Sequence, residues 1–365
     1  GAEFNPTQLY DYSNIQNLSN FLLSSKEEKS NTQTATDLHQ EPIAIIGVSC
    51  RFPKANTFDE FWTNLKKGVD SISEIPIDRK RLNEAYDLSD VAKSEYPRFG
   101  GFIDAIDRFD AGFFNISPAE AELMDPQQRI LMELCQELVE DSGYSASQLK
   151  GSLTGVYVGI SNNDYHHMLT ASGQHPGVYA AIGNALSIAA NRISYFYDFK
   201  GPSVAIDSAC SSSLTSIHLA MQALRDSTCS MAVAGGVNLL VSPGVNINLA
   251  QGQMLAADGK CKTFDASADG YVRSEGGGLV LLKPLSKAIE DQDTILGIIK
   301  GSAISQDGKS NGLTAPNGLA QQQVIKRALQ NANLTPQDIN YVEAHGTGTK
   351  LGDPIELNSL DAVFH

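Results

Sequence analysis

No apolar run in this 365-residue sequence approaches the roughly 18 residues that a membrane-spanning helix needs, and no signal peptide is legible. The expected setting is therefore cytoplasmic. Basic residues are scarce: 27 Lys and Arg stand against 42 Asp and Glu, for a formal net charge of −15. Nucleic acid is recognised by clustered cations, so that class of partner is excluded. The five cysteines, Cys50, Cys135, Cys210, Cys229 and Cys261, are an odd number without paired spacing. They suit neither a disulfide framework nor a zinc site, which leaves reduced thiols and no metal. Short-period repeats are absent as well. What remains is a globular composition, 42% hydrophobic and 19% charged, long enough for one large or two ordinary domains.

Strand-like and helical stretches alternate, which argues an α/β fold. Strands are expected at Ile43 to Val48, Thr154 to Ile160, Met231 to Leu239, Gly276 to Lys283, Thr294 to Ser302 and Tyr341 to Ala344. Helices are expected at Thr57 to Leu65, Met124 to Leu138, Asn184 to Tyr195 and Ala320 to Leu329. In the second of these Asp125 can cap, Pro126 suits the first turn, and Ile130, Leu131, Leu134 and Leu138 form the apolar face. The paired glycines in Met231 to Leu239 imply close backbone approach. Ser71 to Gly101 reads as an irregular, charged excursion, and Gln251 to Gly270 as a polar loop.

The chain is organised around Pro202 to Arg225. A short β-type run, Val204 to Ile206, gives way to Leu214, Ile217, His218 and Met221 at helical spacing. Between them lies Ser208-Ala209-Cys210-Ser211-Ser212-Ser213. Small residues permit a tight strand-to-helix turn and leave Cys210 uncrowded at a helix start. Unpaired N–H groups and the helix dipole favour negative charge there, so a thiol is most easily ionised at such a place. One reading is a nucleophile on an elbow. The other is a small buried cysteine that packs a helix start. His218 falls on the apolar face and reads as a hydrogen-bonded core histidine, and the tandem His166 and His167 as surface residues.

A second constellation is His345-Gly346-Thr347-Gly348-Thr349, followed by Leu351-Gly352-Asp353-Pro354-Ile355-Glu356. A histidine at a strand end followed by two glycines sits on a tight, accessible loop, and ligand sites of α/β proteins gather at carboxyl ends of strands. His345 is thus placed to meet Cys210, unless the loop is only a structural turn. It is not a phosphate loop, since no Lys-Ser/Thr pair follows.

Together these residues resemble the β-ketoacyl synthase family, in particular the ketosynthase domains of modular polyketide synthases. DSACSSSL at Asp207 to Leu214 is similar to the nucleophile motif, and EAHGTGTKLGDPIE at Glu343 to Glu356 to the first-histidine motif. IAIIGVSCRFP at Ile43 to Pro53, MDPQQR at Met124 to Arg129 and ADGYVRSEG at Ala268 to Gly276 match further. The resemblance covers Pro42 to the end. It implies a thiolase-like fold of five alternating layers, αβαβα, with residues 42–290 as the N-terminal half and 291–365 as the start of a C-terminal half that is incomplete here. It also implies a homodimer, with the Met231 to Leu239 strand near the two-fold axis.

Ahead of this part, residues 1–4 read as an expression scar. Residues 5–24 carry a helical stripe, Tyr12, Ile15, Leu18, Phe21 and Leu22, that resembles the end of an acyl carrier domain or is an ordinary amphipathic helix. Residues 25–41 read as a flexible polar linker.

The resemblance implies decarboxylative Claisen chemistry. Cys210 takes an acyl chain from the phosphopantetheine arm of an acyl carrier protein, and a malonyl-type thioester then loses CO2 and attacks it. His345 is the implied enolate donor, Thr347 and Thr349 line the arm's path, Met254 lies near the acyl pocket or simply packs the core, and Asp353 and Glu356 fix the loop. No bound cofactor is needed. The family's second histidine, in a Lys-x-Asn-Ile-Gly-His setting, is not in this sequence, and His365 lacks that setting. A complementary chain supplying the rest of the ketosynthase is one expectation. A non-condensing or split portion that accepts or passes acyl chains, or serves as a structural element, is the alternative. A papain-type hydrolase lacks its cysteine context and orienting Asn. A degradative thiolase has different surroundings for both residues.

Overall fold

The computed structural model describes residues 41–365 apart from 78, 80–97, 172–176, 311 and 313. The scar, the carrier-like helix and nearly all of the linker therefore lie outside the described residues.

The strands are β1 (Ile43–Arg51), β2 (Ile72–Glu74), β3 (Phe99–Gly101), β4 (Thr154–Gly159), β5 (Ser203–Ile206), β6 (Met231–Asn238), β7 (Gly276–Pro284) and β8 (Gly297–Ile299). The helices are α1 (Phe58–Lys67), α2 (Pro118–Leu123), α3 (Pro126–Asp141), α4 (Ala146–Leu149), α5 (Asp164–Ala171), α6 (Val178–Asn184), α7 (Leu186–Tyr197), α8 (Ser212–Arg225), α9 (Gly244–Gln251), α10 (Leu285–Glu290), α11 (Gly318–Ala332) and α12 (Gly352–Phe364).

Six strands form one mixed sheet in the order β5-β4-β6-β7-β1-β8. β4 pairs in parallel with β5 and β6, and the other pairings are antiparallel. On one face α3 and α7 bury Leu131, Leu134, Leu138 and Ile193 against Ile46, Val156, Val233 and Leu281. On the other, α8 packs Ala220, Met221 and Leu224 against Ile43, Tyr157, Ala232 and Leu282. Burying each large apolar side chain contributes about 1.5–3 kcal/mol, so a sheet covered on both faces supplies the core.

The chain just past β8 meets α8. His218 Nδ1 of α8 is 2.8 Å from Ser302 Oγ, and Arg225 Nη2 donates to Lys300 O at 3.1 Å. Burial holds the His218 imidazole below its ordinary value, with the Arg225 charge adding to the effect.

Four expectations need correction. Tyr341 to Ala344 is not a strand: among the described residues these pair with no neighbour, and Tyr341 and Val342 are exposed. A strand exists only where a partner accepts its ladder. Thr294 to Ser302 shortens to β8, which pairs with β1 at the edge of the first sheet and does not open a second one. Asn184 to Tyr195 breaks at Ala185, whose backbone is extended (φ −73°, ψ 122°), and Gln128 Nε2 donates to the Ala185 carbonyl at 3.2 Å. Leu214 is exposed, because the buried face of α8 runs through Ser216, Ala220, Met221 and Leu224.

β6 is interior: β4 and β7 occupy both its edges, and Met231 to Gly235 are buried. A two-fold contact through this strand has no surface. The free sheet edge on the β4 side belongs to β5.

At the start of α3, Asp125 Oδ1 accepts the Gln127 N–H at 2.8 Å and so caps the helix. Burial pushes its carboxyl up to about 6, the Asp164 charge adds, and the bonds from Gln127 oppose. An unfolded aspartate titrates near ~3.9. Between those values the folded state keeps a proton that the unfolded chain has released, so Asp125 subtracts stability as pH rises through this window. Asn is a cap of equal rank and does not titrate. Urea unfolding of wild type and Asp125→Asn across about pH 4 to 7 should move the difference toward the variant by about 2–3 kcal/mol as pH rises. A difference that stays flat with pH contradicts this account.

Candidate active site

β5 ends at Ile206 and the chain turns through Asp207 and Ser208 into one 3-10 turn, Ala209–Ser211, before α8 begins. Ala209 has φ +55°, the left-handed region that a residue with a Cβ adopts at a cost of roughly 1–2 kcal/mol. The turn is held by its own side chains. Asp207 Oδ1 accepts from the Ala209 N–H at 2.9 Å and from Ser161 Oγ at 2.8 Å. Ser212 Oγ donates to Ala209 O at 2.7 Å and accepts the Ser208 N–H at 2.9 Å. The bonds to Ala209 and Ser161 hold the Asp207 carboxyl below the usual range.

The floor under the turn is glycine. Gly159 and Gly236 are register partners at the ends of β4 and β6. A Cβ on Gly159 would lie 2.7 Å from Ser212 C and 2.8 Å from Ser213 N. Cys210 is thereby lifted to an exposed position at the sheet end. Cys50, Cys135 and Cys229 are buried, and burial pushes their thiols up to about 11, about 12 and about 11. Those three are held as inert thiols. Cys261 is the other exposed one, with its Sγ 3.5 Å from Thr347 O and the same distance from Thr263 Oγ1.

His345 is exposed on a loop fastened from two sides. Glu356 Oε1 accepts the His345 N–H at 2.7 Å and Oε2 accepts the Gly346 N–H at 2.8 Å. Asp353 accepts the N–H groups of Gly348 (2.9 Å) and Phe264 (2.6 Å). Thr263 Oγ1 donates to Gly346 O at 2.6 Å, and the Gly270 N–H to Gly348 O at 2.9 Å. Gly346 and Gly348 take φ of +53° and +68°, the turn that lets the loop double back. Thr347 and Thr349 share a 2.9 Å hydroxyl contact, and Thr349 Oγ1 also accepts the Gly352 N–H at the start of α12. A cleft of about 380 Å³ opens beside Thr349, between Phe264, Ala268, Asp353 and Leu357.

Segment Gly270 to Arg273 joins the two halves of the site. Gly270 binds the His345 loop, while Tyr271 and Arg273 both lie within electrostatic range of Cys210. Met254 borders the same segment: its carbonyl accepts the Tyr271 N–H at 3.0 Å. His166, His167 and His365 take no part in these contacts; His365 bonds Asp361 at the end of α12. Sequence reading assigned Tyr271 and Arg273 no role, since no local pattern ties them to Cys210; Asp207 opens the nucleophile motif. Among the described residues no group of three His, Cys, Asp or Glu is gathered that could hold a metal, and no helix is long and apolar enough to cross a membrane.

The model of the β-ketoacyl synthase N-terminal domain matches residues 40–288, and that of the C-terminal domain matches 296–365. The chain belongs to the β-ketoacyl synthase family. It is 47% identical over 360 residues to polyketide synthase PksL of Bacillus subtilis, covering 96% of this chain and 8% of that protein. It is 44% identical over 371 residues to the spectinabilin polyketide synthase system protein NorC of Streptomyces orinoci, covering 100% of this chain and 16% of that one. The ketosynthase from module 6 of the bacillaene synthase of Bacillus subtilis superposes with a TM-score of 0.81 at 44% identity, over 89% of this chain and 54% of that one. The oxazolomycin ketosynthase domain OzmH KS7 of Streptomyces albus gives 0.81 at 41% identity, over 89% and 56%. The fold is thus thiolase-like. The chain spans about half the length of these solved ketosynthases and a small part of the polyketide synthases.

Charge-assisted bonds to a carboxylate are worth about 1.5–3 kcal/mol each. Glu356→Ala is therefore expected to speed amide hydrogen exchange at His345 and Gly346 by about tenfold or more, with Ala209 and Cys210 unaffected. Protection that survives the substitution would show that the loop is held by other means.

Proposed function

We propose that this chain forms the nucleophile half of a ketosynthase that takes acyl chains from a carrier protein's phosphopantetheine arm and extends them by decarboxylative condensation. The observation that carries the reading is the exposed Cys210 on its glycine-floored elbow, joined through Gly270 to Arg273 to the His345 loop. The Cys210 thiolate attacks the acyl thioester carbonyl. The oxyanion of the tetrahedral adduct takes backbone donors such as the Cys210 N–H, and collapse expels the carrier's thiolate. A malonyl-type thioester then loses CO2, and its enolate carbon attacks the acyl-cysteine carbonyl, breaking the C–S bond, expelling the Cys210 thiolate and leaving the extended chain on the carrier thioester. His345 Nε2–H donates to the enolate oxygen, in concert with a second histidine that is not among these residues. Thr347 and Thr349 line the arm's path, Met254 borders the acyl pocket, and the partners are acyl carrier domains. A second copy pairs through the β5 edge in a homodimer. The setting we assign is cytoplasmic, in keeping with five free cysteines.

Cys210→Ala is expected to abolish covalent loading from an acyl thioester, read by intact mass. Replacing Cys50, Cys135, Cys229 or Cys261 singly should leave loading in place. An adduct that persists in Cys210→Ala removes the assignment.

His345→Ala is expected to keep self-acylation and to lose decarboxylation of malonyl carrier about 10²–10³-fold in the assembled domain. A thiolate at a helix start needs no base, whereas an enolate needs a donor. Equal loss of loading in the two variants would instead make them a nucleophile–base pair, as in a hydrolase.

A further inference from the structure

A backbone amide serves an oxyanion only if it is aimed beforehand. The 3-10 turn that carries Cys210 takes its own bonds from the Ser211 N–H, to Ser208 O at 3.4 Å, and from the Ser212 N–H, to Ala209 O. Neither uses the Cys210 N–H. That N–H belongs to the same peptide unit as the Ala209 carbonyl. A trans peptide is planar, with its N–H and C=O on opposite sides, so a fixed carbonyl fixes the direction of the amide. One residue holds this carbonyl twice: Ser212 bonds it with its N–H and with its hydroxyl, which donates at 2.7 Å.

Ala209 sits at φ +55°, a region costly for a residue with a Cβ, so it needs holding from outside. Asp207 supplies the second anchor. Its Oδ1 accepts the Ala209 N–H at 2.9 Å, a side-chain bond two residues on that fixes the peptide ahead of Ala209. The two anchors meet at Ser161, which donates to Asp207 Oδ1 at 2.8 Å and stands 3.4 Å from Ser212 Oγ. Ser161 is itself set by the strand ends, since the Ile160 N–H bonds Ile206 O at 3.0 Å. A hydroxyl has one proton to give. Ser212 gives its proton to Ala209 O and accepts the Ser208 N–H at 2.9 Å, so its side chain is held in one direction. Ser212 is buried, and a Cβ on Gly159 would lie 2.9 Å from its own Cβ.

We propose that Ser212 and Asp207 are positioning residues for acyl transfer, which hold the Ala209–Cys210 peptide so that its N–H donates to the oxyanion of the tetrahedral adduct. The inference rests on the acyl-transfer reading of Cys210 and names the residues that aim its donor.

The test compares two reactions of one sulfur in the full chain. With iodoacetamide the Cys210 thiolate forms an S–C bond, iodide leaves and no oxyanion arises. With butanoyl N-acetylcysteamine thioester the thiolate attacks the carbonyl, an oxyanion forms, and its collapse expels the N-acetylcysteamine thiolate. Both adducts are read by mass on the peptide that bears Cys210. The ratio of acylation to alkylation rates cancels thiolate content and access. Buried Cys50, Cys135 and Cys229 should stay unlabelled by iodoacetamide, which reports a folded protein.

Ser212→Ala and Asp207→Ala should each lower the ratio about tenfold or more. Asp207→Asn keeps an acceptor oxygen for the Ala209 N–H and should stay within about threefold of wild type. Should Ser212→Ala label the buried cysteines, the Asp207→Ala and Asp207→Asn pair decides. A purely structural role would move both rates together and leave the ratio alone. A ratio within about twofold of wild type in folded Ser212→Ala or Asp207→Ala, or one as low in Asp207→Asn as in Asp207→Ala, overturns the proposal. Wild-type Cys210 that is alkylated but takes no acyl group from the thioester overturns the acyl-transfer reading itself, and this inference with it.

Discussion

The start of α8 rests on backbone with no side chain between. Gly159 and Gly236 are partners in the β4–β6 register; a Cβ on Gly159 would lie 2.7 Å from Ser212 C, and one on Gly236 would lie 3.2 Å from Ser213 Cβ. That contact sets the height of the helix start above the sheet, and with it the exposure of Cys210. It also sets the shape of the turn before it, which forces Ala209 into the left-handed region. The sheet needs the same close approach one residue away, where a Cβ on Gly235 would lie 2.0 Å from Gly278 O. Position of Cys210 is therefore a consequence of sheet register, and register is held by the two apolar layers that cover the sheet.

Around this fixed point the loops are held by carboxylates bonded to backbone N–H groups. Asp207 takes Ala209, Glu275 takes Ile103 and Leu240, Asp353 takes Gly348 and Phe264, and Glu356 takes His345 and Gly346. An ionised carboxylate offers two acceptor oxygens in one plane, so one side chain can fasten two successive amides. Part of the acidic excess in the composition is thus structural. Only Glu275 among these four adds a buried cation, Arg79 at 3.3 Å. Loops tied in this way keep their irregular backbone, and the His345 loop is joined to the Gly270 to Arg273 segment through the Gly270 N–H.

Much of this was readable because its causes are local. Asp125 with Pro126 and the spacing of Ile130, Leu131, Leu134 and Leu138 specify α3, and all four apolar residues are buried. Thr57 caps α1 as its side chain suggests, accepting the Glu60 N–H at 3.2 Å. His218 could be placed against a polar partner from its spacing in α8, and Ser302 is that partner. The misreadings share a different cause. Tyr341 to Ala344 has strand composition but no adjacent ladder, and Ala185 interrupts a helix because Gln128, 57 residues earlier, satisfies its carbonyl.

The sequence by itself determined the family and its two motifs: a cysteine at a strand-to-helix junction and a histidine on a glycine loop 135 residues later. Those signals are short and contiguous, so no knowledge of neighbours is needed to read them. Only the tertiary structure decided that β6 is interior, that β8 joins the first sheet, and that Tyr271 and Arg273 stand near Cys210. Pairing partners and through-space neighbours are set by packing between segments far apart in the chain. Burial and electrostatic fields follow from that packing, and no local pattern encodes them.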